Sequence, residues 1–275
     1  MSLEQKYQQL KSLLSEFNSV AVAFSGGVDS TLLLKVACDS FGADKVLALS
    51  AISPIFPHYE IEQSKQFARE LGVRQLFIAS NEMELTDFTE NRLQRCYYCK
   101  HNLFSLFLQK AKEMTVETLF DGSNLDDQDD YRPGQKAITQ LNIRSPLLEV
   151  KLGKQEIRKL SHQLGLSTWD KQPFACLATR FPYGTKITNT RLKQIDQCET
   201  WLRRQGFLNY RVRYHNQLAR IEVSPEEIPR LLNISLRLDL IAEFKLNGFD
   251  YVTVDLQGYR SGSMNEILSD DIIAM

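Results

Sequence analysis

The fold is decided by the stretch Val20-Ala21-Val22-Ala23-Phe24-Ser25-Gly26-Gly27-Val28-Asp29-Ser30-Thr31, which an apolar run follows. A short run of Val, Ala and Phe is typical of a buried strand. Two glycines allow a sharp turn, and Ser30 and Thr31 are residue types that cap helices. A helix start after such a turn presents free N–H groups and the positive end of the helix dipole to an anion. The stretch therefore predicts a phosphate-binding loop.

Asp29 is unexpected beside a phosphate, because a carboxylate repels phosphate unless a cation lies between the two groups. A magnesium ion bound with the phosphate would supply that cation. The hydroxyls of Ser25, Ser30 and Thr31 add hydrogen-bond donors, and the Walker ending Gly-Lys-Ser/Thr is absent. The alternative interpretation is an ordinary turn between a strand and a helix.

Composition excludes several classes of protein. The 275 residues are 43% apolar and 24% charged, as in a soluble globular protein of one large or two moderate domains. A net charge of −1 argues against bulk electrostatic binding of nucleic acid. The sequence contains no apolar run long enough to cross a bilayer, and its polar start does not resemble a secretory signal. We expect a cytosolic protein without a membrane partner.

Strands and helices alternate along the first two thirds of the chain. Strands are predicted at 20–24, 45–50, 75–79 and 118–122, with helices at 4–17, 30–39, 60–71, 91–112 and 154–164. This alternation predicts an α/β fold, with a parallel sheet that helices cover on both faces. Ligands bind such sheets at the carboxyl ends of the strands. We expect the phosphate loop, Ser50 and the stretch 121–130 to meet there.

The character of the sequence changes near residue 183. We predict a phosphate-binding domain over residues 1–182 and a small α+β domain over 183–275 that serves substrate binding or oligomerisation. In this second domain two strands, 210–214 and 219–223, alternate apolar and polar residues. The remaining predicted elements are helices at 190–205, 225–232 and 235–247 and a strand at 251–256.

The stretch 121–134 contains five aspartates within its first ten residues. For most of them we favour a solvated turn with aspartates that cap helices. Asn124, Asp130 and Arg132 are better candidates for a site, because the preceding strand would present them beside the phosphate loop.

Five cysteines in a cytosolic chain favour metal binding or thiol chemistry over disulfides. Cys96 and Cys99 have CxxC spacing, which suits a redox pair, half a zinc site or two ligands of an iron–sulfur cluster. Cys176 lies in an irregular stretch between Lys171 and Arg180, and nearby cations favour a reactive thiolate. The alternative for Cys176 is a buried structural thiol.

Three thiolates meeting at one point would suit a four-iron cluster with one open iron, which could hold a sulfide or a substrate. The other two cysteines, Cys38 and Cys198, lie in helical patterns and are interpreted as inert apolar residues.

Arg211 and Arg213 share one face of a predicted strand, and such a pair suits an anionic group such as a substrate phosphate. The alternative is a pair of surface arginines that contact acids. Glu222 lies in a half-buried strand pattern and needs a partner, for which Arg220 and Arg260 are candidates.

Several segments resemble known families. The string Ser25-Gly26-Gly27-Val28-Asp29-Ser30 resembles the loop with which N-type ATP pyrophosphatases hold pyrophosphate. Over nearly its whole length the chain resembles the LarE family, the ATP-dependent sulfur transferases that mature the nickel-pincer nucleotide of lactate racemase. The segments that carry this second resemblance are 121–134, 171–184, 210–216, 219–222 and 258–265.

The resemblance implies a reaction. A pyridinium mononucleotide with two carboxylates is adenylated by ATP, pyrophosphate leaves, and a sulfur nucleophile then displaces AMP to give a thiocarboxylate. In one branch of the family the cysteine that matches Cys176 gives up its own sulfur and becomes dehydroalanine. In another, three cysteines bind a [4Fe-4S] cluster that carries a transferable sulfide. Cys96 and Cys99 place this chain in the cluster-bearing branch.

The resemblance also implies residue roles. Cys176, Asp29 and Arg180 are expected to be catalytic, and Glu199 and Glu222 to border the site of sulfur transfer. Magnesium, ATP and the nucleotide substrate are expected to bind Ser25, Gly26, Gly27, Asp29, Ser30, Ser50, Asn124, Asp130, Arg132, Arg211 and Arg213. The expected cluster ligands are Cys96, Cys99 and Cys176.

Two other functions fit parts of the sequence. A tRNA thiolase shares the phosphate loop, but the chain shows no strongly basic strip for tRNA. An iron–sulfur or zinc module that uses ATP only structurally would not need an intact pyrophosphate loop. Besides the nucleotide we expect a sulfide source as partner, and a homo-oligomer, for which a hexamer is one arrangement.

Overall fold

The computed structural model describes residues 1–128, 133–260 and 263–265. The chain forms two compact units. The first consists of Met1–Phe88 and Gln94–Phe174, and the second of Thr89–Leu93 and Ala175–Met275. Asp130 and Arg132, both predicted as site residues, lie outside the described residues.

The first unit alternates strands with helices. Its strands are β1 (Val20–Ala23), β2 (Val46–Ile52), β3 (Arg74–Ala79) and β4 (Thr118–Phe120). Its helices are α1 (Leu3–Leu14), α2 (Val28–Phe41), α3 (His58–Glu70), α4 (Thr86–Thr89, which ends in the second unit), α5 (Arg95–Glu113), α6 (Pro133–Gln140), α7 (Pro146–Glu149) and α8 (Lys154–Gln163).

The four strands form one parallel sheet in the order β3-β2-β1-β4. Val20, at the start of β1, pairs with Val46 on one side and Thr118 on the other. All four carboxyl ends therefore lie at one edge, which is the edge where ligands bind in parallel sheets. The prediction of a parallel α/β fold is confirmed.

Alternate residues of β1 enter different cores, because successive side chains of a strand point to opposite faces. Val20 and Val22 belong to a core with α1, α2 and α8. Ala21 belongs to a second core, where Phe104 and Phe107 of α5 cover the other face. Each of these fully buried Phe side chains contributes about 1.5–3 kcal/mol of burial free energy. Helices on both faces were predicted and are confirmed.

The second unit is built on a three-stranded sheet in the order β5-β6-β7. β5 (Tyr210–His215) pairs antiparallel with β6 (Leu218–Val223), as predicted, and β7 (Tyr251–Val254) pairs parallel with β6. The helices of this unit are α9 (Asn189–Arg204), α10 (Ile228–Leu231) and α11 (Ile234–Leu246). Across both units, no helix that the structure describes is long and apolar enough to span a membrane.

A short segment of the N-terminal chain, Thr89–Leu93, folds into the second unit. Asn91 is fully buried and has a φ of 56°, a backbone region that Asn tolerates better than most residues. Its side-chain amide donates to the carbonyls of Phe181 (3.3 Å) and Pro182 (2.7 Å). Asn91 therefore fixes the backbone at Phe181 and Pro182, shortly after Cys176 in the chain.

Candidate active site

The loop between β1 and α2 leaves the start of a helix open. Helix α2 begins at Val28, and Gly27 is its N-cap without any side-chain hydrogen bond to the cap. The predicted capping role of Ser30 and Thr31 is wrong, because the helix starts two residues earlier and both lie in its first turn. The Ser30 hydroxyl instead donates to the Gly27 carbonyl (3.2 Å) and accepts from the Ser25 N–H (3.3 Å). The loop is thus folded by its own hydroxyls, and the N-cap residue supplies no side-chain acceptor to the start of the helix.

The two loop glycines have different requirements. Gly26 has a φ of +73°, and a Cβ there would lie 3.0 Å from the Ser64 Cβ on α3. Gly27 has a φ of −79°, and a Cβ there would meet only the Ser25 Oγ, at 3.3 Å. Only the first position combines a backbone conformation that favours glycine with a packed neighbour.

We therefore expect Gly26→Ala to lower the free energy of unfolding by about 1–3 kcal/mol, through strain and overpacking. Gly27→Ala is the matched control and should cost less than about 1 kcal/mol. Urea denaturation of both variants measures the difference. Equal losses at the two positions would contradict this assignment.

Asp29, in the first turn of α2, is bonded to two other elements. Its Oδ2 accepts from the Lys154 Nζ at 2.5 Å, and its Oδ1 accepts from the Asn124 amide at 3.4 Å. Asn124 follows β4, and Lys154 is the first residue of α8. The structure thus joins the predicted residues Asp29 and Asn124 at the phosphate loop, and Lys154 is added to them.

The aspartates after β4 have structural partners. Asp121 is buried and accepts from the hydroxyls of Ser145 and Ser123, both at 2.5 Å. Asp126 caps α8 by accepting from the Lys154 N–H (2.6 Å), and Asp127 accepts from the Asn124 N–H (3.0 Å). Capping and turn roles were the favoured interpretation of most of these acids, and the partners of Asp126 and Asp127 confirm it. Asp121 differs, because it is buried rather than solvated.

The chain passes close to α2 where it leaves β4. A Cβ on Gly122, directly after β4, would lie 3.1 Å from the backbone nitrogen of Ser30. This contact places the end of β4 against the first turn of α2.

Ser50 was predicted at the end of a strand, but it lies inside β2. Its hydroxyl donates to the Phe24 carbonyl at 2.6 Å, so this group supports the strand that leads into the loop.

Sequence reasoning missed two lysines at the loop. Lys154 contacts Asp29, and Lys171 donates to the Gly26 carbonyl (3.0 Å) and to Glu60 (2.7 Å). A lysine at the first position of a helix opposes the helix dipole, and this was the available signal for Lys154. Lys171 was predicted only as a cation near the Cys176 thiol, and its contacts with the Gly26 carbonyl and Glu60 add a role at the loop.

The pKa of Asp29 is raised by burial, which outweighs the opposing effect of Lys154. A carboxyl with a raised folded-state pKa stabilises the protein most below its unfolded-state pKa of about 3.9. That contribution is lost as the pH rises through the folded-state value. We therefore expect Asp29→Asn to be more stable relative to wild type at pH 7 than at pH 3.5. Urea unfolding of both proteins at the two pH values measures this difference, and a constant difference would contradict it.

Arg180, in the second unit, has a fully buried side chain. Its guanidinium forms two 2.9 Å hydrogen bonds with the carboxylate of Glu199 on α9. It also donates to the carbonyls of Ala175 (2.7 Å) and Cys176 (3.2 Å). Arg180 was predicted to be catalytic and to favour the Cys176 thiolate. In the structure, its guanidinium contacts the Glu199 carboxylate and the backbone carbonyls of Ala175 and Cys176.

Glu199 is 3% exposed, and burial alone would raise its pKa. Arg180, with smaller effects from Arg211 and the Val212 N–H, reverses this and holds the pKa of Glu199 below its ordinary value. The carboxylate therefore stays ionised, and it ties Arg180 to strand β5 through the 2.9 Å bond from Val212.

Arg213 and Glu222 form a second buried ion pair, at 2.7 Å between Nη2 and Oε2. Arg213 also donates to the Thr179 carbonyl (3.1 Å), so both arginines hold the same short segment. Arg220, a predicted partner of Glu222, is confirmed at 3.2 Å, and Arg213 is a further partner that was missed. Arg260, the other predicted partner, lies instead 3.8 Å from Asp255.

Arg211 stacks on the ring of Tyr259, with its guanidinium carbon 4.9 Å from the ring centre. Burial lowers its pKa, and the nearby Arg180 lowers it further. The alternative of surface arginines that contact acids holds in part: Arg213 contacts the acid Glu222 but is buried, and Arg211 is half-buried. Because burial and Arg180 both disfavour the charged form of Arg211, a bound anion would stabilise its charge.

The cysteines are distributed over both units. Cys96 and Cys99 lie about one turn apart at the start of α5, and Cys176 directly precedes a short 3₁₀ helix, Leu177–Arg180. All three are half-buried and free of disulfides. Burial raises the pKa of Cys38 to about 11 and raises that of Cys198 as well, which supports their interpretation as inert. Within either unit, the described residues hold no group of three His, Cys, Asp or Glu placed to bind a metal.

A glycine loop and an open helix start at the carboxyl edge of a parallel sheet define an α/β protein of the nucleotide-phosphate-binding class. Residues 3–106 match the NAD synthase family. A protein of Lactiplantibacillus plantarum named pyridinium-3,5-bisthiocarboxylic acid mononucleotide synthase is 37% identical over 98% of this chain and 96% of its own length.

Two further relatives also match almost end to end. The uncharacterised protein slr1717 of Synechocystis sp. is 40% identical over 97% of this chain and 99% of its own length. The uncharacterised protein MJ0830 of Methanocaldococcus jannaschii is 29% identical over 93% and 98%. The chain belongs to the LarE family, as its motifs predicted.

Proposed function

We propose that this protein is an ATP-dependent sulfur transferase that converts the carboxylates of a pyridinium dicarboxylate mononucleotide into thiocarboxylates. The observation that carries the proposal is the 37% identity, over 98% of the chain, to a pyridinium-3,5-bisthiocarboxylic acid mononucleotide synthase. The open helix start at the Ser25–Ser30 loop supports it, because adenylation needs a site that retains pyrophosphate.

In the first step a substrate carboxylate oxygen attacks the α-phosphorus of ATP, and the bond to the β-phosphate oxygen breaks. An acyl adenylate forms and pyrophosphate leaves. The N–H groups at the start of α2 and the Ser25 and Ser30 hydroxyls bind the leaving phosphates. The carboxylate of Asp29 fits a magnesium ion shared with them, because magnesium prefers one or two carboxylates together with phosphate oxygens.

In the second step a sulfur nucleophile attacks the acyl carbon, and the bond to the AMP oxygen breaks. The products are a thiocarboxylate and AMP. Arg180 holds the Cys176 backbone through the carbonyls of Ala175 and Cys176, so the thiol enters this step from a fixed main chain. Arg211 and Arg213 bind the phosphate of the mononucleotide.

The donor set of Cys96, Cys99 and Cys176 fits a [4Fe-4S] cluster in chemistry, since cysteine thiolates are the ligands that such clusters use and these three half-buried thiols form no disulfide. A cluster held by these residues would supply a sulfide for the second step. Cys96 and Cys99 would hold it from one face of α5, and Cys176 from the segment that Arg180 fixes.

The test is an anaerobic reaction of the iron- and sulfide-reconstituted protein with ATP, magnesium and the dicarboxylated pyridine mononucleotide. We expect pyrophosphate release that depends on the mononucleotide, and a product in which sulfur replaces oxygen by mass. Pyrophosphate release with tRNA, but not with the mononucleotide, would overturn the proposal. Loss of one sulfur mass from Cys176 after a single turnover would show that Cys176 donates its own sulfur, and it would overturn the cluster as the sulfur source.

A further inference from the structure

Resting on the proposed use of ATP, we infer that Lys154 exchanges partners when the nucleotide binds. Its ammonium leaves the Asp29 carboxylate and moves to a phosphate oxygen of the nucleotide. Lys154 is thereby a substrate-binding residue that the sequence motifs of the loop do not include.

The position of Lys154 suits such an exchange. Its backbone is fixed, because its N–H donates to Asp126 at 2.6 Å at the start of α8. Its side chain is partly open to solvent, with 31% of its surface exposed against 22% for Asp29. The ammonium lies 2.5 Å from the Asp29 carboxylate in the first turn of α2, the helix whose N-cap makes no side-chain hydrogen bond.

The charges at the loop give the exchange its direction. Among the described residues, Lys154 is the cation that contacts Asp29, whose other oxygen accepts from the Asn124 amide. A magnesium ion brought by the nucleotide competes with the ammonium for the same carboxylate oxygen. The triphosphate offers many acceptors to an ammonium, which is a donor without acceptors of its own.

A static ion pair predicts the opposite response to mutation. If Lys154 stayed on Asp29, its removal would free the carboxylate for magnesium, and magnesium ATP would bind as well or better. If the ammonium moves to phosphate, its removal weakens binding of magnesium ATP, while metal alone binds more tightly in either case. The sign of the change in nucleotide affinity therefore separates the two models.

The experiment measures the binding of magnesium ATP by calorimetry and of Mn²⁺ alone by electron paramagnetic resonance, for the full-length protein and Lys154→Met. We expect the Kd for magnesium ATP to rise about tenfold to a hundredfold, as for the loss of a charge-assisted hydrogen bond. The Kd for Mn²⁺ alone should fall about fivefold. Lys159→Met, an exposed residue of the same helix, is the matched control and should leave both constants unchanged.

Lys154→Arg should retain most of the nucleotide affinity, because it keeps the charge. Unchanged or tighter binding of magnesium ATP by Lys154→Met would overturn the exchange while leaving the proposed function intact. Failure of the wild-type protein to bind magnesium ATP would instead overturn the proposed function and the exchange with it. A Mn²⁺ affinity that does not rise in Lys154→Met would also contradict the exchange.

Discussion

Arg180→Met is expected to lower the free energy of unfolding of the second unit by about 3–5 kcal/mol, the cost of leaving a buried charge without its partner. The charge left behind is the carboxylate of Glu199, whose side chain is 4% exposed. Methionine keeps much of the volume of arginine, so the loss measures the missing charge and hydrogen bonds rather than a large cavity. The same change releases the carbonyls of Ala175 and Cys176.

The chain offers a selective probe for this measurement. It has two tryptophans, Trp169 in the first unit and Trp201 in the second. In a Trp169→Phe background, the fluorescence of Trp201 follows unfolding of the second unit in urea.

Two further variants act as controls. Arg204→Met, at the exposed end of α9, should change stability by less than about 0.5 kcal/mol. Arg180→Met combined with Glu199→Leu should recover most of the loss, because no buried charge is left unpaired. A double variant as unstable as Arg180→Met alone would contradict the ion-pair explanation.

Cys176→Ala is expected to reduce thiocarboxylate formation by more than about a thousandfold, as when an enzyme loses its reacting group. Mononucleotide-dependent release of pyrophosphate should persist, because the Ser25–Ser30 loop belongs to the other unit and forms its own contacts. Mass spectrometry of the product and a coupled pyrophosphate assay measure the two steps separately.

Cys38→Ala is the control, since this half-buried thiol has a raised pKa and should leave both steps unchanged. Cys99→Ala distinguishes the two sulfur sources. It should abolish sulfur transfer if a cluster supplies the sulfide, and it should leave one turnover intact if Cys176 supplies its own sulfur. Normal thiocarboxylate formation by Cys176→Ala would contradict both.

Structural features that depend on local sequence pattern were predicted correctly from the sequence. The strand Val20–Ala23, the open loop after it and the alternation of strands and helices follow from short-range hydrophobic periodicity and glycine placement. The start of α2 was misplaced by the same local reasoning. Ser30 and Thr31 are good capping residues, but the turn at Gly26 brings the helix start forward to Val28.

Contacts between distant residues were beyond prediction. Arg213 lies opposite Arg220 in the hairpin register, yet its ion pair is with the diagonal neighbour Glu222. Diagonal partners depend on the directions of long side chains, which a sequence pattern does not specify. Lys154 reaches Asp29 from 125 residues away, and only the packing of α8 against α2 brings the two together.

The path of the chain also limits how the protein can be divided. Thr89–Leu93 folds with the second unit, while the residues before and after it belong to the first. A fragment that begins at Ala175 would leave the Phe181 and Pro182 carbonyls without the Asn91 amide. A fragment that ends at Phe174 would contain the five residues Thr89–Leu93 without the second unit, with which they fold. Separate expression of the units, or their exchange between relatives, therefore requires rebuilding this crossing rather than a single cut.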